Sequence, residues 1–242
     1  MTANNCIFDI HAHILPGVDD GASNTEMALA MLEMYQQQGV THIAVTPHYQ
    51  RFVYDTEYAW TAFDRFRQLA AERYPGIHLI RGAEVLFDET NIHSNVRMLN
   101  DGILPSYNNT RYVLTEFFPD ARQHEASKTL DALLADDWIP VVAHAERIRK
   151  CFLDESFTRH CIDKGALIQI NAYSLVKEQN PLTKMAARAL LHAGMVHFIG
   201  SDAHRTNHRP PDVSDGISYI RQHCSNAEDI LYNNAATRFL KK

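Results

Sequence analysis

Six short apolar segments, spread along the whole chain, each run into a residue of a type that binds metal ions. They end at His11-Ala12-His13, His48, Glu84, Glu116, His144 and Asp202-Ala203-His204. In a parallel α/β barrel the carboxyl ends of all strands meet at one mouth, so residues far apart in sequence would converge there. Imidazoles and carboxylates without a thiolate are typical of a site for several metal ions.

The apolar segments alternate with amphipathic segments that have the length and periodicity of helices. Seven strands are predicted, at 6–10, 42–46, 78–83, 111–115, 139–143, 166–170 and 196–201. Helices are predicted at 58–73, 89–99, 124–136, 155–163, 181–192, 213–223 and 227–240, after a first helix that ends near Gln38. This alternation is typical of βαβ units and a parallel sheet. We expect an α/β fold with a seven-stranded, barrel-like sheet, and an open doubly wound sheet is the alternative.

The first helix carries signals for both of its ends. Ser23-Asn24-Thr25-Glu26 has the spacing of a capping box, in which Ser23 would cap the helix. Gly39 follows the last periodic residue and predicts the C-terminal stop.

Composition limits the class of protein. A chain of 242 residues suits one domain, which we expect to span 1–242. The four cysteines form no CxxC pair and are expected to be free thiols. Neither a signal peptide nor an apolar run of membrane-spanning length is visible, so we expect a cytoplasmic protein. The net charge of −6 disfavours nucleic acid as a partner, whereas 14 histidines favour metal binding.

The first motif combines four residues of ligand type. His11 and His13 are two residues apart on an extended segment and can bind one ion together. Asp9 is expected to fix the tautomer of an imidazole. Asp20 lies in a turn rich in glycine and carboxylate that can fold back over the site.

Each motif also has an ordinary structural interpretation when it is taken alone. Alternate histidines can be polar surface, Asp19-Asp20-Gly21 can be a simple turn, and Ser201 can cap a helix. Their joint placement favours a site, because six of seven predicted strand ends carry a ligand-type residue and the seventh carries Asn171. Charged residues at such half-buried positions are costly unless they are paired or bound to metal.

The motifs HxH, Thr-Pro-His, Gly-Ala-Glu, Ala-His-x-Glu-Arg and Ser-Asp-Ala-His, in this order, resemble the PHP (polymerase and histidinol phosphatase) superfamily. The segments 11–21, 143–147 and 201–204 look most like its bacterial capsule-type protein tyrosine phosphatases. The resemblance spans nearly the whole chain and implies a distorted (β/α)7 TIM-like barrel, the PHP fold.

The resemblance also implies three divalent metal ions, usually described as manganese in this family. One ion would be held by His11, His13, Glu84 and Asp202, a second by Glu84, Glu116 and His144, and a third by Asp20, His48 and His204. Glu84 would bridge the first two ions. The ligand types themselves leave Mn, Fe and Zn open.

By the same resemblance the protein would hydrolyse phosphotyrosine, on the tail of a bacterial tyrosine kinase of capsule or exopolysaccharide synthesis. Three divalent ions would exceed the charge of the four carboxylates and attract a phosphate dianion, which a metal-bridging hydroxide would attack in line. Arg147 and Arg209 are the candidates for gripping the phosphate, with Arg205 as the alternative to Arg209. The aromatic segments 49–54 and 117–119 are candidates for a substrate rim.

Other functions remain as alternatives or lack their motifs. A small-molecule phosphatase, such as a histidinol phosphatase, would use the same metals. A noncatalytic metal-binding regulatory protein would keep the fold, and oligomerisation is left open. No Cys-x5-Arg loop is present, because Cys151 and Arg159 have the wrong spacing, and no nucleotide-binding glycine motif is present.

Overall fold

The computed structural model of the protein describes residues 6–49 and 56–240. Within these ranges the strands are β1 (Phe8–Ala12), β2 (His42–Val45), β3 (His48–Tyr49), β4 (His78–Arg81), β5 (Glu84–Leu86), β6 (Tyr112–Glu116), β7 (Ile139–Val142), β8 (Leu167–Asn171) and β9 (Phe198–Gly200). The helices are α1 (Thr25–Gln37), α2 (Thr56–Arg73), α3 (Ile92–Asn100), α4 (Gln123–Ala135), α5 (Ser156–Lys164), α6 (Ala172–Val176), α7 (Pro181–His192), α8 (Ser214–His223) and α9 (Asn234–Phe239).

All seven predicted strands are present, and two short strands beyond the predicted bounds were not predicted. After an interruption at Pro47, β3 follows the predicted strand 42–46, and after an interruption at Gly82, β5 follows the predicted strand 78–83. Proline has no backbone N–H to donate to a neighbouring strand, which accounts for the first interruption. The strands pair in parallel in the orders β1-β2-β4 and β3-β5-β6-β7-β8-β9.

Backbone hydrogen bonds join the first strand to the segment that follows the last strand. The N–H of Asp202 donates to the carbonyl of His11 at 2.8 Å, and the N–H of His13 donates to the carbonyl of Ala203 at 2.8 Å. The parallel sheet therefore curls round on itself as a TIM-like barrel, which confirms the predicted α/β fold class in preference to an open sheet.

An apolar cluster fills the barrel near the amino ends of its strands. Phe239 of α9 stacks on Tyr107 with ring centroids 4.2 Å apart, and it lies 5.2 Å from Phe198 and 6.1 Å from Phe8. The Tyr107 hydroxyl donates to the carbonyl of Ile10 at 2.9 Å. A second and larger cluster packs the helices against the outside of the sheet. The candidate metal ligands lie at the opposite, carboxyl end.

The helix boundaries mostly follow the sequence signals, with local differences. Asn24, not Ser23, caps α1, because the Asn24 side chain accepts the N–H of Met27. Gly39 has a φ of +75° and ends the helix as predicted. The short helix α6 was not predicted, and the predicted helix at 227–240 is divided into a π-helical turn (Asp229–Asn233) and α9.

Two further expectations concern cysteines and membranes. All four cysteines are free thiols, as predicted. None of the helices within 6–49 and 56–240 has the length and apolar character needed to cross a membrane.

Replacing Phe239 by Ala should destabilise the barrel, because this fully buried ring closes its amino end. We expect a loss of about 3–5 kcal/mol, as for other buried phenylalanines. The midpoint of urea unfolding measures it. The matched control is Phe118→Ala, since that ring is 45% exposed, and its effect should stay within about 0.5 kcal/mol. Equal midpoints for the two variants would contradict the role of Phe239 in closing the amino end of the barrel.

Candidate metal centre

The barrel mouth brings together all nine residues that the sequence predicts as ligands. They form four overlapping groups, within each of which the potential ligand atoms lie no more than 4.8 Å apart. The groups are His11, His13 and Asp202; His11, Glu84 and His144; His48, Glu84 and Glu116; and His13, Asp20, His48 and His204.

Two glycines create the space that the first histidines need. A Cβ on Gly200 would lie 2.6 Å from the Cβ of His11, and a Cβ on Gly21 would lie 2.0 Å from the carbonyl oxygen of His13. Both distances are shorter than real side-chain contacts allow. Glycine is therefore required at position 200, where β9 packs against β1, and at position 21, where the turn after β1 packs against His13.

Glu84, at the start of β5, is a buried carboxylate that lies close to four imidazoles of the centre. Its Oε1 lies 3.2 Å from His11 Nε2 and 2.9 Å from His144 Nε2. Its Oε2 lies 2.8 Å from His48 Nδ1 and 3.4 Å from His13 Nε2. Burial alone would raise the pKa of Glu84, but the surrounding imidazoles outweigh it and hold the pKa well below its usual range. Glu84 is therefore a buried anion in contact with imidazoles from three strand regions.

The two histidines of β1 provide a test of whether the centre fits a cation. His11 Nε2 and His13 Nε2 face each other at 3.1 Å inside the mouth. Two imidazole lone pairs repel at this distance unless a proton or a metal ion lies between them or beside them. Imidazole nitrogens and carboxylate oxygens, with no thiolate, fit hard-to-borderline divalent ions. The residues present therefore fit a metal centre.

The group formed by His13, Asp20, His48 and His204 is more open to solvent than the others. Asp20 Oδ1 lies 3.4 Å from His48 Nε2 and 3.5 Å from His204 Nε2, and the Asp20 side chain is 57% exposed. Burial, His13 and Arg209 lower the pKa of His204 to about 2, although Asp202 opposes them. His204 is therefore a neutral imidazole that can donate a lone pair.

Glu116, at the end of β6, belongs to the group with His48 and Glu84. Its Oε1 lies 3.7 Å from His144 Nε2. Burial and the neighbouring Glu84 raise the pKa of Glu116 to about 7. Two carboxylates so close together are compatible with a cation between them.

The three candidate arginines divide into two roles. Arg147 Nη1 donates to Asp202 Oδ2 at 2.6 Å, and Arg209 Nη1 donates to the same oxygen at 3.1 Å. Arg209 also contacts His204 Nε2. Arg205 instead donates to the carbonyls of Asp20 and Gly21 at 3.1 and 3.2 Å. Arg147 and Arg209 therefore border the mouth, whereas Arg205 holds the turn that carries Asp20.

One expectation about the first motif is wrong. Asp9 does not contact an imidazole, because its Oδ1 accepts the backbone N–H groups of His11 at 3.1 Å and Ser201 at 2.9 Å. The carboxylate that orients an imidazole is Asp19, whose Oδ2 lies 2.8 Å from His13 Nδ1. Asp19 Oδ2 also accepts the N–H of His48 at 3.0 Å. The sequence predicts Asp19 only as part of a turn, and its position next to the candidate ligand Asp20 is the one sequence signal for a role in the site.

The residues predicted for an aromatic rim differ in their exposure. Phe117 is buried and belongs to the core, whereas Phe118 is exposed. Tyr49 is also buried, and its hydroxyl donates to Met98 Sδ at 3.0 Å. The rest of the predicted segment, 50–54, lies outside the described residues.

Known proteins resemble the chain over nearly its full length. Tyrosine-protein phosphatase YwqE of Bacillus subtilis is 34% identical, over 96% of this chain and 94% of the relative. Tyrosine-protein phosphatase CpsB of Streptococcus pneumoniae is 30% identical, over 88% of this chain and 89% of the relative.

A solved structure agrees with these relatives. It comes from a study of YwqE from B. subtilis and CpsB from S. pneumoniae, described as unique metal-dependent tyrosine phosphatases. It superposes with a TM-score of 0.85 at 29% identity and covers 96% of this chain and 94% of the solved one.

The family comparison covers both the barrel and the whole centre. The matching model, described as capsular polysaccharide synthesis, CpsB/CapC, spans residues 7–240 and so includes all nine predicted ligands. This chain therefore belongs to the CpsB/CapC family of capsular polysaccharide synthesis proteins.

Proposed function

We propose that this protein is a metal-dependent phosphotyrosine-protein phosphatase. The observation that carries the proposal is the centre around Glu84, where nine imidazole and carboxylate side chains from six strand regions converge. The relatives named tyrosine-protein phosphatases, which match across that centre, support the same activity.

The centre has enough donors for three divalent ions, and we assign them as Mn²⁺. His11, His13, Glu84 and Asp202 would hold the first ion, and Glu84, Glu116 and His144 the second. Asp20, His48 and His204 would hold the third, with His13 close by. When bound, such ions would supply Lewis acidity and an activated water as the nucleophile.

The chain's own residues bind and orient the phosphate ester. Arg147 and Arg209 lie on one edge of the mouth, each with a guanidinium able to grip two phosphate oxygens. Asp202 holds both guanidiniums in place and is itself kept ionised, because Arg147 and His11 outweigh burial and hold its pKa well below the usual range. A phenolate leaves more readily than a serine alkoxide, which favours phosphotyrosine.

The cysteines support a route without a thiol nucleophile. Cys151 and Cys161 are buried, and burial raises their pKa to about 11 and about 12. Thiols with such pKa values are almost entirely protonated at neutral pH and are poor nucleophiles.

We infer that the substrate is a bacterial tyrosine kinase that acts in capsule or exopolysaccharide synthesis. The family name places the relatives in capsular polysaccharide synthesis, and their names identify them as tyrosine-protein phosphatases. Because the Asp20 side chain is 57% exposed, the centre is open to solvent on that side and would admit a tyrosine carried on a polypeptide.

The first experiment is phosphate release from a phosphotyrosine peptide by chelator-stripped protein, before and after Mn²⁺ is added back. We expect activity only after addition, with histidinol phosphate turned over far more slowly. Metal content should be measured on the same sample. Protein that holds metal but prefers histidinol phosphate would be a small-molecule phosphatase. Inactivity towards both esters would favour a noncatalytic metal binder.

Replacing both His11 and His13 by Ala should abolish phosphatase activity while the circular dichroism spectrum is retained. These two side chains are fully buried in the centre and supply two of its facing nitrogens. The matched control is His93→Ala, an exposed histidine of α3, which should keep full activity. Activity of the double variant equal to that of the control would refute the assignment.

Replacing Arg147 by Ala should lower kcat/KM for the phosphotyrosine peptide about ten- to a hundredfold, because a charge-assisted hydrogen bond contributes about 1.5–3 kcal/mol. Steady-state kinetics with Mn²⁺ in excess measure the change. Arg149→Ala, an exposed arginine two residues away, is the control and should match the wild-type protein. An unchanged kcat/KM for Arg147→Ala would remove Arg147 from substrate binding.

A further inference from the structure

Strand β8 contributes no predicted ligand to the centre, although it lies between β7 and β9, whose ends carry His144 and Asp202. Its carboxyl end instead carries two buried amides, Gln169 and Asn171, whose side chains are directed into the layer behind the ligands. What these amides do rests on the proposed metal centre.

Gln169 contacts two of the ligands at once. Its Oε1 accepts the backbone N–H of His144 at 2.7 Å and lies 3.3 Å from His11 Nδ1. Because a backbone N–H can only donate, the oxygen of the Gln169 amide must face His144. The amide therefore cannot be flipped without losing this contact.

The fixed orientation of the Gln169 amide also fixes the orientation of the Asn171 amide. Gln169 Nε2 donates to Asn171 Oδ1 at 2.8 Å, which turns the nitrogen of the Asn171 amide towards the centre. Asn171 Nδ2 then donates to Asp202 Oδ2 at 3.3 Å. The hydrogen bonds therefore have one polarity: His144 donates to Gln169, Gln169 donates to Asn171, and Asn171 donates to Asp202.

This polarity has a consequence for His11. An oxygen opposite Nδ1 favours the tautomer with the proton on Nδ1, which leaves the lone pair on Nε2. Nε2 faces the centre, at 3.2 Å from Glu84 Oε1 and 3.6 Å from Asp202 Oδ1. The tautomer selected by Gln169 is therefore the one able to bind a metal there.

The amide pair also supports two unusual backbone conformations. His144 and Asp202 have φ values of +29° and +53°, in a region that residues other than glycine rarely adopt. Gln169 holds the N–H of His144, and Asn171 holds the carboxylate of Asp202. Gly200 makes room for the pair, since a Cβ there would lie 3.0 Å from Gln169 Nε2.

We infer that Gln169 and Asn171 are positioning residues of the metal centre, a buried amide pair that sets the tautomer of His11, the backbone of His144 and the orientation of Asp202. Residues that orient ligands commonly change metal affinity ten- to a hundredfold when they are replaced. The inference predicts an effect on metal binding that does not depend on any phosphate ester.

The test compares Gln169→Leu with Gln169→Glu in the full chain. Gln169→Leu keeps much of the volume but removes the acceptor, so Zn²⁺ affinity, measured by chelator competition, should fall about ten- to a hundredfold. In ¹⁵N-histidine-labelled, Zn²⁺-loaded protein, the Nδ1 proton of His11 should lose its protection from exchange. Gln169→Glu keeps an acceptor and should restore that protected proton.

Asn171→Leu distinguishes the effect of the amide pair on Asp202 from its effect on His11. It should weaken Zn²⁺ binding through Asp202 while the protected Nδ1 proton of His11 remains. Because the two amides act as one unit, the losses of Gln169→Leu and Asn171→Leu should combine less than additively in the double variant.

The control for general destabilisation is Gln38→Leu, which removes an amide that bonds Pro211, Val213 and Ser214 outside the centre. It should lower stability without changing Zn²⁺ affinity. The inference is overturned if Gln169→Leu keeps wild-type affinity and the protected proton, or if it loses no more affinity than Gln38→Leu. Wild-type inactivity on phosphotyrosine peptides would refute the proposed function, but it would leave this metal-binding result intact.

Discussion

The structure depends on a buried carboxylate, Glu84, that lies within 3.4 Å of four imidazoles from three different strand regions. An ionised carboxylate withdrawn from water is costly unless positive charge or hydrogen bonds compensate it. Here the compensation comes from β1, β3 and β7 together. The barrel must therefore close correctly before Glu84 can be accommodated, and this links the metal centre to the fold.

The amino end of the barrel contributes mainly to stability, whereas the carboxyl end carries the polar side chains of the centre. At the amino end, Phe239 and Tyr107 seal the interior with stacked rings and exclude water. At the carboxyl end, the same strands present histidines and carboxylates instead. Strand ends at the mouth are free to carry ligands because the apolar interior beneath them, together with the outer helices, supplies the burial that stabilises the barrel.

A second layer of polar residues holds the ligands in place. Asp19 orients His13, Asp9 joins the backbone of β1 to that of the turn after β9, and Gln169 contacts His11 and His144. These partners come from different parts of the chain and hold rings and carboxylates that would otherwise rotate. Family membership accounts for the ligands, whereas this layer accounts for their orientation.

The sequence by itself determined the order of the main strands and helices and the positions of the candidate ligands. The reason is physical: apolar periodicity is local, and a charged residue at the end of an apolar run is conspicuous. Thus β8, α7 and the candidate ligand Glu116 could be predicted from neighbouring residues alone.

Only the tertiary structure decided which neighbours orient the ligands. The sequence favours Asp9 as the partner of an imidazole and places Asp19 in a turn, yet the closure of β1 against the turn after β9 directs Asp9 to backbone amides. Gln169 carries no local signal at all, because its role arises from contacts with residues 25 and 158 positions away. Hydrogen-bond direction is set by the three-dimensional arrangement of donors, and no local pattern of residue types encodes it.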